Sequence, residues 1–555
     1  MKKLPLLLLF LFPVLLSCET SVAQAPPSEN EKLVATAKIW GFLKYYHPHV
    51  AKGKFDWEEQ LFIVMEKVEK TKSDEELSAV FSNWIDSLGE VEKCLSCLEV
   101  TTAEGFDKNF DLTWIDSSSF SNELSSKLRH IEKNRVQDGQ HYVKIVEGVG
   151  NIQVQNEKDY PNFDWTNRDL RLLALFRYWN LVEYFFPYKY QTDMDWDKAL
   201  EQMLPKFLSP GSERDYHMAM LELATRTNDS HAWFITQETN QYYGYYWAPV
   251  VIKMIEGQTV VSSFFDDSLA AKDDWQKGDI LVAVNGVPVE DLIAKNEKYM
   301  TGSNQPAKYR DLHISLLNGS SPAVEIEILR DGNTIKKEVA RYYRRDFKME
   351  APPTKKWEIL EKNIGYVNMG LLEPGDVKRM MKDLRDTRAI IFDIRNYPKG
   401  TLYALSNELN DGSHPFVKFT APDLDYPGKF TWTKPLTAGG RNKNPYTGKI
   451  ILLVNETTQS HAEFTAMALQ TAPNVTTIGS QTAGADGNIS DISFLGGFTT
   501  YISGIGVFYP DGRETQRIGI VPDIEIKPGI RGINDGRDEV LEKAIEVIDQ
   551  ATAGQ

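Results

Sequence analysis

The stretch KIILLVNETTQSHAEFTAMALQ leaves the chain few local choices. Ile450 to Val454 are β-branched or leucine and are bounded by polar residues, which predicts a buried strand. Phe464, Met467 and Ala468 then recur at helical spacing. Ser460 therefore stands at or next to a helix N-terminus. Free backbone N–H groups and the positive end of the helix dipole at such a place can hold a developing oxyanion. The same residues also read as a plain helix cap, Ser460 at the N-cap and Glu463 at N3, forming a capping box.

Two more segments bear on the choice. AIIFDIRNYPKG contains a strand, Ala389 to Ile394, that ends in a turn with Pro398 and Gly400. VTTIGSQTAGADGN follows the serine helix as a short strand and a glycine-rich loop. Together with IGIVPDIEI these pieces resemble the core of the tail-specific (C-terminal-processing) serine protease family and its tricorn-like branch, over about Lys355 to Val547. The family pattern is a strand ending D-x-R-x-N-x-G-G, then S-x-x-E, then a T-x-G loop. Here the first element reads Asp393, Arg395, Tyr397, Lys399 and Gly400, so Tyr replaces Asn and Lys replaces the first Gly. The resemblance implies Ser460 as nucleophile, with backbone N–H groups of His461 and of Gly400 or Lys399 as oxyanion hole.

The proton acceptor departs from the processing proteases. Their lysine, about 25 residues after the serine, is replaced here by Ala485, and no lysine lies between Ser460 and Lys527. A serine hydroxyl needs a base to attack a carbonyl at neutral pH. The tricorn-like branch uses a histidine from an upstream helical segment, and TRTNDSHAWF resembles that motif at His231. Imidazole suits the task because it titrates near working pH. Of the nine histidines, His461 adjoins the serine but should point away from it at a helix start, and the other seven carry no such motif. A third group usually orients the base. Gln516, three before Gly519, holds the place where related enzymes have Glu or Gln; Glu514 and Asp486 are the alternatives.

The N-terminus predicts the compartment. Lys2 and Lys3 precede an apolar run, Leu4 to Leu16, too short to span a membrane. Leu15-Leu16-Ser17-Cys18 resembles a bacterial lipoprotein signal, which implies cleavage and acylation at Cys18 and a tether over 19–30 with Pro26-Pro27. Cys94 and Cys97 then either form a local disulfide or stay unpaired; two further ligands for a zinc site are lacking. The net charge of −16 argues against nucleic acid and acidic membrane surfaces as partners, and no basic tract is present.

An internal repeat organises the first half. AKIWGFLKYYHPHVAKGKFDWEEQL matches FRYWNLVEYFFPYKYQTDMDWDKAL, pairing Trp40 with Trp179, Pro48 with Pro187 and Trp57 with Trp196 at one constant offset. Both copies read as helical, with aromatics packed inward. Asp86-Ser87-Leu88 of the first copy stands near where Asp229-Ser230-His231 stands in the second, so only the second copy can supply a base. WQKGDILVAVNGVPVEDL resembles a PDZ domain at Gly278, Asp279, Leu281, Val284, Asn285 and Gly286, a module that takes extended peptides on a strand edge.

At 555 residues the chain has room for several domains. The expected architecture is an α/β multi-domain chain. It consists of a signal peptide (1–18), a tether (19–30), a first helical repeat with its connection (31–155), and a second helical repeat carrying His231 (156–244). A PDZ-like domain (245–345) and a ClpP/crotonase-like serine peptidase core (346–555) follow, with Ala351-Pro352-Pro353 as the linker. The expected function is an exported, lipid-anchored serine endopeptidase acting on peptides or unfolded proteins, with no metal or other cofactor; the oligomeric state stays open. The rival readings are a non-catalytic peptide-binding protein, favoured by the missing lysine and altered turn, and a carrier of apolar ligands on the same core.

Overall fold

The structure, a computed structural model, describes residues 26–95, 97, 105–348 and 353–553. The apolar leader, Cys18, most of the tether and Ala351-Pro352 of the linker lie outside the described residues.

The C-terminal region is built on a six-stranded sheet. Its order is Trp357–Leu360, Ile364–Asn368, Ala389–Asp393, Lys449–Val454, Val475–Gly479 and Ile524–Glu525. The first pair is an antiparallel hairpin; every later pair is parallel. Strands of a parallel sheet are covered on both faces, which explains the unbroken apolar runs in the sequence. Side chains alternate across it. Ile390, Phe392, Ile450 and Leu452 pack in one cluster with Ala466 and Met467 of the His461–Leu469 helix. Ile391, Ile451 and Leu453 pack in another with Ala544 and Ile548 of the Glu539–Ala553 helix. The result is a helix–sheet–helix sandwich with Ser460 at the carboxyl end of a central strand.

The two aromatic segments of the first half adopt the same local arrangement. Helices Glu29–Tyr46 and Trp57–Glu69 are locked by reciprocal indole bonds, Trp40 Nε1 to the Trp57 carbonyl (3.0 Å) and Trp57 Nε1 to the Trp40 carbonyl (3.1 Å). Helices Arg168–Phe185 and Trp196–Leu208 repeat the device through Trp179 and Trp196, at 2.8 and 3.0 Å. Buried indole N–H groups need acceptors, and here each tryptophan's carbonyl accepts the other's indole N–H. The two long helices meet at Gly41, where an added Cβ would lie 1.6 Å from Asn180 Oδ1. Asn180 Nδ2 donates to the Ala37 carbonyl across that contact, at 3.0 Å. The connection after the first pair is not purely helical: Gly105–Phe106 pairs antiparallel with Phe430–Thr431, adding a strand to a sheet of the C-terminal region. Cys94 and Cys97 are joined by a disulfide.

Between the second helical pair and the C-terminal region lies an antiparallel sheet with its own core. Its strands run in the order Asn333–Ala340, Ala323–Arg330, Ile280–Val284, Gln258–Phe264 and Val250–Ile255, the last at an edge. Ile252, Trp275, Leu281, Leu316 and Ile326 fill that core. The chain enters and leaves through one two-stranded pair, Tyr246–Trp247 with Tyr342–Tyr343. Among the described residues no helix is long and apolar enough to cross a membrane, and no cluster of three or more His, Cys, Asp or Glu is arranged to hold a metal ion.

Candidate active site

The buried Lys449–Val454 strand runs into a turn, residues 455–459, before the helix begins. Thr457 and Thr458 hydroxyls donate to the carbonyls of Arg395 (2.8 Å) and Ile394 (2.9 Å), pinning that turn to the end of the neighbouring strand. Ser460 follows with φ 55° and ψ −123°. An ordinary N-cap residue has extended backbone. A left-handed φ on a non-glycine residue costs on the order of 1–3 kcal/mol and persists only where its surroundings hold it.

Those surroundings are specific. The Ser460 N–H donates to the Ala485 carbonyl at 2.9 Å and also reaches Glu463 Oε2 at 3.3 Å. The Glu463 carboxylate is fully buried and takes further bonds from the Thr482 hydroxyl, the Gly484 N–H (2.8 Å) and the Ala485 N–H (3.0 Å). Burial raises its pKa above the usual carboxylate range, although those donors pull the other way. Glu463 is thus more than half of a capping box: it fastens the glycine-rich loop against the start of the helix. Gly484 has φ +64°, and a Cβ there would sit 2.7 Å from the Arg517 backbone carbon. Arg517 N–H donates to the Gly484 carbonyl at 2.8 Å, so the 515–519 segment lies directly on the loop.

His231 is buried in a second network. Its backbone N–H donates to Asp229 Oδ1 at 3.1 Å, and its Nδ1 lies 3.4 Å from the same oxygen and 3.0 Å from Ser503 Oγ. Asp229 Oδ2 accepts the Ser503 N–H at 2.6 Å. Asp229 is fully buried; burial works against its charge, but the bonds from His231 and Ser503 outweigh it and hold the carboxyl below its usual range. His231 Nε2 is buried with no hydrogen-bond partner, so no bond joins it to the Ser460 hydroxyl.

The two networks are nevertheless stitched together by their neighbours. Ser230 Oγ donates to the Ala483 carbonyl at 3.3 Å, and Gln459 Nε2 reaches the Ser230 carbonyl at 3.5 Å. Ser230 and Ser303 exchange bonds of 2.8 Å, Asn304 Nδ2 donates to the Thr482 carbonyl at 2.8 Å, and Arg310 donates to Gln459 Oε1 at 2.6 Å. The segment before His231, the turn before Ser460, the glycine-rich loop and residues 303–310 therefore form one hydrogen-bonded body.

His461 occupies the first position of the helix, where backbone N–H groups have no intrahelical acceptor. Its ring packs between Tyr397 and Phe464, at 6.1 and 6.4 Å, and burial lowers its pKa. Gly400 has φ +71° in the turn after Asp393. Arg395 is locked there by Asp393 (2.7 Å) and Asp538 (2.8 Å).

The three candidates for the orienting group sit elsewhere. Glu514 is held by Lys108, Tyr190 and Gln191 at 2.7 to 2.8 Å. Asp486 is buried, accepts the Gly487 N–H at 2.6 Å and leaves Oδ2 unpartnered. Gln516 is buried with neither amide atom hydrogen-bonded. None of them bonds to His231. The groups on its Nδ1 are Asp229 and Ser503, which the sequence reading did not single out. Asp229 carried a signal, since an Asp two residues before a His favours a local side-chain–backbone bond. Ser503 carried none.

Residues 363–526 match the model of peptidase family S41. Among solved structures, mature CPAF complexed with lactacystin is similar at 14% identity and a TM-score of 0.53, over 70% of this chain and 99% of that one. Mature CPAF alone is similar at 15% identity and 0.53, over 69% and 98%. No curated protein sequence matches this chain.

Proposed function

The chain carries a peptidase family S41 domain, that of a serine-type hydrolase, and from this premise we propose that it is an exported serine endopeptidase in which Ser460 is the nucleophile and His231 the general base. The carrying observation is the left-handed Ser460 at the mouth of a helix, clamped to the glycine-rich loop, with the segment before His231 bonded to the same loop. Ser460 Oγ attacks the scissile carbonyl while His231 Nε2, which no protein group occupies, takes its proton. The His461 N–H and the Gly400 N–H receive the oxyanion. His231 then returns the proton to the leaving amine, and water releases the acyl group by the same steps.

The antiparallel module over 245–345 supports a PDZ-like reading, because its edge strand Val250–Ile255 offers backbone groups for an added peptide strand. The matching Trp40–Trp57 and Trp179–Trp196 devices support descent of both helical pairs from one duplicated unit. Lys2, Lys3, the short apolar run and Cys18 support export and an N-terminal lipid anchor in a bacterial envelope. Substrates are peptides or unfolded proteins.

The test is labelling with a fluorophosphonate probe. The parent protein acquires one adduct, mapped to Ser460 by peptide mass, and Ser460→Ala acquires none while unfolding at the same temperature. A parent that stays unlabelled and cleaves no unstructured protein overturns the assignment.

A further inference from the structure

We infer that Asp229 and Ser503 are the positioning pair of the base, taking the place that the sequence assigns to Gln516, and that the base is completed only when the hairpin of the C-terminal region docks on the helical segment. The inference rests on the assignment of His231 as base and goes beyond it by naming what aims the ring.

The argument is one of geometry. An imidazole serves as a base only when one nitrogen keeps its proton and the other presents a lone pair. Both polar side chains that face the His231 ring lie on the Nδ1 side: Asp229 Oδ1 at 3.4 Å and Ser503 Oγ at 3.0 Å. A carboxylate there selects the tautomer with the proton on Nδ1, and the lone pair then falls on Nε2, the one ring nitrogen without a partner. Asp229 is itself held on both oxygens, Oδ1 by the His231 N–H and Oδ2 by the Ser503 N–H at 2.6 Å. Its carboxylate is therefore fixed against rotation, and it stays ionised despite burial.

Ser503 closes the unit from a distant part of the chain. It ends the Phe498–Ser503 strand of the Ile489–Ser503 hairpin, 272 positions after His231. The Thr500 hydroxyl donates to the Trp233 carbonyl at 3.1 Å, and the Trp233 ring packs at a tilt against Tyr501 with centroids 4.6 Å apart, so the hairpin grips the segment on both sides of the ring. A helical segment without this hairpin would retain Asp229 but lose both Ser503 bonds. Gln516 makes no such contact, since neither of its amide atoms has a hydrogen-bond partner.

The test uses the full chain, the variants Asp229→Asn, Ser503→Ala and Ser503→Thr, and two readouts. Kinetics on an unstructured protein should show kcat for Asp229→Asn lowered by about 10²–10⁴-fold with KM nearly unchanged, as expected when a tautomer is lost rather than a binding contact. Ser503→Ala should lose about tenfold, the scale of one hydrogen bond, and Ser503→Thr should recover most of it. The second readout is the imidazole nitrogen spectrum of histidine-labelled protein, with His231 assigned by His231→Gln. It should show the proton on Nδ1 in the parent and not in Asp229→Asn. It needs no turnover, so it judges the positioning even if the peptidase assignment fails. A parent ring protonated on Nε2, or an Asp229→Asn enzyme with parental kcat, overturns the inference; Gln516→Ala matching the predicted loss of Asp229→Asn would do the same.

Discussion

Gln459, the residue before Ser460, donates a hydrogen bond from Nε2 to the carbonyl of Ser230, the residue before His231, at 3.5 Å across 229 positions of chain. The same Gln459 accepts a bond from Arg310 at 2.6 Å, in the module that separates the two. One side chain thus bonds to the residue before His231 and to the inserted module, from the position next to Ser460.

His231→Gln should abolish most hydrolysis, and His231→Lys should not restore it. A lysine at this place keeps neither the Nδ1 contacts to Asp229 and Ser503 nor a ring lone pair on the opposite side. Loss on the order of 10²–10⁴ in kcat is expected for removal of a general base. Progress curves on an unstructured protein, with labelling of Ser460 as a second measure, check it. Parental turnover by His231→Gln would end the mechanism.

Gly484→Ala should destabilise the fold and slow the enzyme together. The added Cβ would meet the Arg517 backbone at 2.7 Å, on a residue whose φ is +64°. Strain at such a position is about 1–3 kcal/mol before the clash is counted. Relieving it would move the Gly484 and Ala485 N–H groups off Glu463 and release the Ser460 backbone. Thermal unfolding of the variant beside the parent measures the loss; an unchanged melting temperature contradicts the packing described.

Asp486→Asn should stabilise the protein increasingly as pH rises. Burial, aided by the nearby Glu463 charge, raises the Asp486 carboxyl well above its usual range. The folded state therefore holds a proton that the unfolded chain releases above about pH 3.9. Stability tied to that proton is full below this value and is lost as pH climbs toward the folded pKa. Asparagine keeps an acceptor for the Gly487 N–H and has no proton to lose. Melting temperatures between pH 5 and pH 8 should show the variant's advantage widening; parallel curves would refute it.

Cys18→Ser should release the protein from membranes or leave it unprocessed. The basic start, the short apolar run and Leu15-Leu16-Ser17-Cys18 are the grounds. Stable anchoring takes more than one acyl chain, so the parent should partition with detergent and carry the added mass on Cys18. A mature N-terminus downstream of Cys18 without acyl mass would contradict this.

Local pattern alone was enough to read the strand–serine–helix unit, the buried strands and the paired tryptophan segments. Each is written in residues close in sequence: apolar runs at Ile450–Val454 and Ala389–Ile394, helical spacing after Ser460, and matching Trp positions. The S-x-x-E spacing likewise placed Glu463 one helical turn from Ser460. Its second task, fastening Thr482, Gly484 and Ala485, is a contact between segments and left no local trace. The disulfide between Cys94 and Cys97 was open for a related reason: spacing permits it but does not require it.

What the sequence by itself determined is which local elements hold the candidate side chains, because hydrophobic period and cap residues act over a few positions. What only the tertiary structure decided is who faces whom. Gln516, Glu514 and Asp486 are all suitable in kind, yet the groups on the His231 ring are Asp229, two residues away, and Ser503, brought there by a hairpin. Pairing across 272 positions is set by how packed modules dock, and no pattern within either segment encodes it. The left-handed backbone of Ser460 has the same origin. Serine does not favour it; the clamp of Ala485 and Glu463, closed only in the folded chain, imposes it.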